Sequence, residues 1–408
     1  MITKAKKFIK KEEKRQNGCL SLIASENYVS QNVLKALGSV FTNKYAEGYV
    51  GKRYYAGNEL VDEVEGWVKD LGLKIFDLNS LEWSINVQPY SGSPANLAIY
   101  MAFLKSDDKV LSLSLSHGGH LTHGHKVSAS SKFFNFVHYG VKQDGWLDYD
   151  EIEKIAMAEK PKLIVAGATA YAREWDFDRM GKIAHQAGGL LMADISHIAG
   201  LIAAGLHPTC FEAADVVMTT THKTLRGPRG AVIYCRKKYQ EAVDKAVFPG
   251  LQGGPHINNI LAMGVAFEEV LSVDFKKYMA NVKKNTKILA KELQNHGLKL
   301  VADGTDNHLL LIDLSVLGLG AKIVEQKLEE INIITNKNSI PYDTRKPTDP
   351  SGIRLGMAAA TTRGITAQQT KKIAQIIAQV IWNISKEKNL TGLKKEVQII
   401  IKTLKPIV

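Results

Sequence analysis

Leu190-Leu-Met-Ala-Asp194-Ile-Ser-His197 joins a short apolar run to an acid and a histidine. The run is too short for a helix and does not alternate, which fits a strand buried on both faces of a parallel sheet. Asp194 would then stand at the carboxyl end of that strand, where open α/β sheets bind ligands. A carboxylate there can hold a cation or a protonated ring nitrogen, or it can cap the next helix. Residues 162–166 and 215–219 read as strands of the same kind. Helical stretches near 150–158, 178–187 and 210–213 lie between them, and 59–76 and 93–104 precede them, the latter with Pro94 in its first turn. Repeated alternation argues for an α/β sheet with right-handed crossovers. Past residue 275 the pattern changes. A helix over 275–296, strands near 298–301 and 308–313, a helix over 321–330 and a closing helix over 367–385 predict a smaller α+β unit.

The chain of 408 residues has an apolar share of 45% and a charged share of 23%, which excludes long disorder, collagen and a disulfide scaffold. No apolar stretch is long enough to span a membrane, and Met1-Ile-Thr-Lys-Ala-Lys-Lys lacks the apolar core of a signal peptide. Cys19, Cys210 and Cys235 are far apart, so reduced thiols of a cytosolic protein are expected. The net charge of +12 raises the question of nucleic acid. Residues 1–15 hold seven basic and two acidic residues, and 386–408 hold six and two, so the two ends carry nine of the twelve charges. The first fifteen residues read as an exposed, partly helical arm and the tail from Lys386 as Lys-rich decoration. Nucleic-acid binding is therefore not expected.

Four features can carry chemistry. Ser91-Gly92-Ser93 opens the helix at 93–104, and free N–H groups at such a turn suit a phosphate; a Ser N-cap is the plainer reading. Asp194 is the second. The third is Met218-Thr-Thr-Thr-His222-Lys223-Thr-Leu-Arg-Gly-Pro-Arg-Gly230, in which a lysine at a strand end can be desolvated into a Schiff-base nucleophile. The fourth is Ser116-His117-Gly-Gly-His120-Leu-Thr-His123-Gly-His125. Its histidines have no accompanying Cys or carboxylate, so a flat His against an aromatic ligand competes well with zinc, and no metal is expected. A phosphate turn, an acid for a ring nitrogen and a later lysine are together the parts of a pyridoxal phosphate site.

The sequence resembles the serine hydroxymethyltransferase family, pyridoxal phosphate enzymes of the aspartate-aminotransferase fold type, from about Glu12 to Ser385. The resemblance is carried by Leu22-Ile-Ala-Ser-Glu-Asn27, Asn43-Lys-Tyr-Ala-Glu-Gly-Tyr49, Gly51-Lys-Arg-Tyr-Tyr55, His117-Gly-Gly-His-Leu-Thr-His-Gly124, Thr219-Thr-Thr-His-Lys-Thr224, Phe248-Pro-Gly-Leu-Gln-Gly-Gly-Pro255 and Gly304-Thr-Asp-Asn-His308. It implies a mostly parallel, seven-stranded-type sheet covered by helices. It also implies an arm over 1–45 packed on a dimer partner, a cofactor-binding domain over 46–275 and a small α+β domain over 276–408.

The resemblance implies that Lys223 forms the Schiff base, Asp194 holds a proton on the pyridine nitrogen and His120 stacks on the ring. Ser91, Gly92 and Ser93 would hold the phosphate, helped by Arg229. Thr169 and His197 would contact the ring oxygen, and Thr220 and His222 would flank the lysine. Arg354 would fork onto the substrate carboxylate, with Ser25 assisting. Glu47 would be the acid–base group, and Tyr55 would reach the substrate. Tyr45, Glu47, Tyr55, Gly253 and Gly254 would cross to a partner's site in an obligate homodimer. Tyr54, Leu115, Gly119, Leu121 and Asn338, with Glu47 and His120, would meet tetrahydrofolate. The implied reaction moves the hydroxymethyl carbon of L-serine reversibly to tetrahydrofolate, giving glycine and 5,10-methylenetetrahydrofolate, within cytoplasmic one-carbon and amino-acid metabolism.

Bacterial members commonly carry Ser-Pro-Phe shortly before Ser-Gly-Ile-Arg, where this chain has Lys346-Pro347-Thr348. That change alone supports the alternative, a folate-independent 3-hydroxy-amino-acid aldolase using the same cofactor. Met357 and Ser21 also depart from the usual residues. An RNA-binding alternative would need clustered Lys and Arg interleaved with aromatics, and RNA-binding motifs such as an RRM signature are absent.

Overall fold

A computed structural model describes residues 3–384 and 390–407. Its main sheet has seven strands, in the spatial order Trp83–Asn86, Ala231–Arg236, Val216–Thr220, Leu190–Asp194, Leu163–Gly167, Lys109–Leu113 and Asn135–Tyr139. The last five pair in parallel. Ala231–Arg236 runs against both its neighbours, so six strands share one direction. Leu163–Gly167 and Val216–Thr220 are buried at every position, as their unalternating apolar sequence requires. Helices Tyr149–Glu159 and Phe177–Gln186 form two of the crossovers, capped by Asp148 and Asp176, whose carboxylates accept backbone N–H groups.

A second sheet of four strands, in the order Lys299–Leu300, Leu309–Asp313, Gly352–Gly356 and Asn336–Asn338, is antiparallel throughout. It has its own apolar core with helices Ala321–Glu330 and Ala367–Trp382. The Val273–Asn295 helix feeds both cores: Phe275, Met279 and Val282 pack toward the large sheet, and Leu289 and Leu293 toward the small one.

The N-terminal segment is tied into this second unit. Leu20–Ser21 pairs in parallel with Ile333–Ile334. Leu22 accepts from the Gly356 N–H at 2.7 Å. A Cβ on Gly356 would lie 2.4 Å from the Ala24 Cα, so only glycine lets these segments meet.

Two expectations need correction, and one is filled out. Residues 210–213 are not a helix: Ala214 N–H bonds to Cys210 O in a single turn, and the helix of this crossover is the earlier Ala199–Ala203. The strands Trp83–Asn86, Lys109–Leu113, Asn135–Tyr139 and Ala231–Arg236 complete the large sheet beyond the three read from apolar runs. The Lys-rich tail is not mere decoration, because Thr391–Thr403 is a helix that buries Val397, Ile400 and Ile401 at helical spacing. The expected closing helix is described to Trp382, and its end at 385 lies outside the described residues, as does the start of the tail at Lys386. The arm expected over the first residues is the Thr3–Asn17 helix, which buries none of its residues.

Candidate active site

The carboxyl edge of the large sheet gathers the loops that follow five of its strands. Lys223 comes three residues after the Val216–Thr220 strand, and its buried Nζ donates to Thr220 Oγ1 at 3.1 Å. Its carbonyl accepts from Asn27 Nδ2, and Asn27 is itself fixed by Tyr278 and Thr362. The lysine is thus pinned through its backbone while the amine stays in the cavity. Burial lowers the ammonium pKa to about 8, with the Asp194 charge pulling the other way and Arg354 and Arg229 adding to the fall.

Asp194 ends the Leu190–Asp194 strand and lines a small cavity together with Gly92, His120, Thr169, His197, Thr220 and Lys223. Burial alone would raise its carboxyl pKa. Bonds and charge from His123, Lys223 and Ser196 outweigh that and hold it well below the usual carboxylate range. His123 Nε2 lies 3.0 Å from Asp194 Oδ2, and Asn96 Nδ2 lies 3.2 Å from the same oxygen. His123 Nδ1 accepts the His120 N–H at 3.2 Å. The hydrogen-bond pattern therefore assigns the His123 proton to Nε2, where it donates to Asp194.

His123 is the residue that sequence reading missed, because it stood there only as one of four histidines. Its position three residues after His120 in a tight turn was the available signal. Among the described residues no group of three or more His, Cys, Asp or Glu is placed to hold a metal.

His120 lines the cavity and bonds through Nδ1 to Thr122 Oγ1 at 2.7 Å. Burial, reinforced by His123, lowers its pKa to about 4, so at neutral pH the ring is an uncharged flat surface. Across the cavity the Gly92–Phe103 helix begins, and its N-cap Ser91 makes no side-chain capping bond. Its first N–H groups are left for a ligand. A Cβ on Gly92 would lie 2.8 Å from Thr220 Cγ2, so the glycine keeps this cradle open. Thr169 Oγ1 donates to Gly119 O at 3.0 Å and holds the His120 loop in place.

Arg354, on the Gly352–Gly356 strand, is 8% exposed. Its Nη1 donates to Thr169 O at 2.7 Å and its Nε to Asn336 Oδ1 at 3.2 Å, leaving Nη2 for a carboxylate. Its charge acts on Lys223 and His197.

Several expected residues stand apart from the Lys223 cavity. His222, Ser25 and Arg229 line a neighbouring cleft with Asn27 and Tyr28. Tyr45 and Glu47 bond at 3.3 Å and pack over Gly254 and Gly253. Tyr55 meets the Tyr45 ring edge-on at 5.0 Å, and Tyr54 is 74% exposed. None of this group lines the Lys223 cavity of its own chain. Leu115 and Gly119 lie in the loop between Leu113 and His120, Leu121 is exposed, and Asn338 ends the Asn336–Asn338 strand. The Lys346-Pro347-Thr348 loop is exposed and clasped by the Arg345–Asp349 ion pair at 2.7 Å. The aromatic nearby is Tyr342, whose ring lies 4.7 Å from that of His117.

A cavity lined by Gly92 at an uncapped helix start, by the fixed acid Asp194, by the flat His120 ring and by the buried amine of Lys223 fits pyridoxal phosphate. With the mostly parallel seven-stranded sheet, it defines the class as pyridoxal phosphate enzymes of the aspartate-aminotransferase fold type. The family model described as serine hydroxymethyltransferase matches residues 3–377. The chain is also 50% identical over 391 residues to the serine hydroxymethyltransferase of Desulfotalea psychrophila, covering 96% of this chain and 91% of that one. The chain belongs to the serine hydroxymethyltransferase family.

The lowered lysine pKa has a direct consequence. A lysine adds to an aldehyde as the neutral amine, and that fraction grows as pH rises through the pKa. Capture of added pyridoxal phosphate by the cofactor-free protein is expected to rise with an inflection at about 8, measured by stopped-flow absorbance. An inflection near the ordinary value of 10.5 would mean that burial does not act on Lys223.

Proposed function

We propose that the chain transfers the hydroxymethyl carbon of L-serine to tetrahydrofolate, reversibly, with Lys223, Asp194, His120, Gly92 and Arg354 as the central residues. The observation that carries the reading is the buried Lys223 beside an acid held ionised by His123. Bound pyridoxal phosphate supplies an electron sink for the pair released when a bond to the amino-acid α-carbon breaks. Asp194 would hold a proton at the ring nitrogen, and its bonds to His123 and Asn96 fix its carboxylate. The open first turn at Ser91–Ser93 would hold the phosphate, and the neutral His120 ring would stack on the cofactor. Arg354, anchored by Thr169 and Asn336, would bind and orient the substrate carboxylate. Ser25 and His197 assist at the substrate. Arg229 and His222 line the adjoining cleft.

Glu47, Tyr45, Tyr55, Gly253 and Gly254 complete the partner's site in a cytoplasmic homodimer. Their grouping away from the chain's own Lys223 supports this. Tetrahydrofolate lies along Leu115, Gly119, Leu121 and Asn338, with Tyr54 and Glu47 from the partner. The division at residues 45 and 275 is also a proposal. Its second boundary falls in the first turn of the Val273–Asn295 helix that feeds both cores.

Tetrahydrofolate decides between this reading and the folate-independent aldolase. Formation of glycine from serine, followed with and without tetrahydrofolate, is expected to be strongly stimulated by it. Equal rates in its absence would overturn the proposed acceptor while leaving the lysine chemistry intact.

A further inference from the structure

His197 forms part of the wall of the Lys223 cavity. Behind it lies His308, fully buried, with the two ring centroids 5.4 Å apart at 26°. His308 Nε2 is 3.3 Å from His197 Nδ1 and 3.3 Å from the Ala24 carbonyl oxygen. His308 Nδ1 has no hydrogen-bond partner in its buried site.

These contacts fix where the protons sit. A carbonyl oxygen only accepts, so the ring atom facing it carries the hydrogen, which places the His308 proton on Nε2. A neutral imidazole has one N–H, so the unpartnered Nδ1 is a bare acceptor. An unpaired buried acceptor is a commoner and cheaper defect than an orphaned N–H. The single N–H of His308 is thus shared between Ala24 and His197 Nδ1. His197 Nδ1 must be an acceptor, and its own proton is driven to Nε2, the edge left for the cavity. Burial holds both rings neutral, helped by the facing cations Lys223 and Arg354.

We propose that His308 is a positioning residue that locks His197 in its Nε2–H tautomer, so that His197 presents a donor to an oxygen of the cofactor or substrate beside Lys223. The proposal rests on reading that cavity as the pyridoxal phosphate site. His308 is well placed for such a task, since its backbone oxygen accepts from Met357 N–H at 3.0 Å, at the end of the strand that carries Arg354. It therefore joins the Ala24 segment, the loop after Asp194 and the small sheet.

The test uses protein labelled with nitrogen-15 in histidine, with pyridoxal phosphate bound and after its removal. Two-bond proton–nitrogen correlations report each tautomer, and His197→Gln assigns the signal. Wild-type His197 is expected as Nε2–H. His308→Gln, whose amide nitrogen can donate from nearly the same place, is expected to keep that tautomer and most of the rate. His308→Leu is expected to give mixed tautomers and about a tenfold to hundredfold loss of kcat/KM for serine, the scale of losing an orienting partner. A wild-type Nδ1–H signal would overturn the proposal. So would a His308→Leu protein that retains the Nε2–H tautomer, or a His308→Gln protein that behaves like His308→Leu. Should His308→Leu fail to fold, the wild-type and Gln signals still decide. Failure of the wild-type protein to bind the cofactor or turn over serine would sink the functional reading instead, and the tautomer result would stand apart from it.

Discussion

Replacing Lys223 by Ala is expected to abolish the visible absorbance of the cofactor-loaded protein and to lower serine turnover by roughly 10⁴-fold or more, the scale of losing a nucleophile. The size follows from the burial of this amine. Nζ has one protein partner, Thr220 Oγ1, and lies in the cavity facing Asp194. The mutant should still hold some pyridoxal phosphate, because the cradle at Gly92, the His120 face and Asp194 do not depend on the lysine side chain. Its melting temperature should stay near that of the wild type, since the ammonium is buried against an unfavourable desolvation. Absorbance spectra, glycine production and thermal unfolding read the three effects separately. A Lys223→Ala protein that keeps the visible band and turns over serine would remove the lysine from the chemistry.

The second large effect concerns hybrids. Lys223→Ala and Glu47→Ala chains, each inactive as homodimers, are expected to regain activity when co-expressed with different tags and isolated as mixed dimers. If Glu47 serves the partner, one site of the hybrid has both residues and the other has neither, so the hybrid should reach about half the wild-type rate per dimer. If Glu47 serves its own chain, each site lacks one residue and no activity returns. The grouping of Glu47 with Tyr45, Gly253 and Gly254, off the walls of the Lys223 cavity, points to the first outcome. Gel filtration of both parents checks the proposed dimer.

The apolar runs at 162–166, 190–193 and 215–219 were legible because strands buried on both faces must be apolar without alternation. Asp194 was legible because it closes one such run, and Lys223 because it comes a few residues after another. His123 was not, because its work depends on a neighbour 71 residues away that no local pattern reveals. His308 was quoted only as the end of a resembling stretch, and its partners Ala24 and His197 come from two other segments. The Thr391–Thr403 helix was hidden by its lysines, although Val397, Ile400 and Ile401 already had helical spacing. Residues 210–213 misled because Ala and Glu favour helices, and the chain there has only the length of one turn.

The short parallel pairing of Leu20–Ser21 with Ile333–Ile334 has a mechanical consequence. Through it and the contact of Ala24 with Gly356, the segment of Ser25 is held to the small sheet that carries Arg354, while Asp194 and Lys223 come from strand ends of the large sheet. With Arg354 on the substrate carboxylate as proposed, the spacing of the two sheets sets the reach from carboxylate to amine.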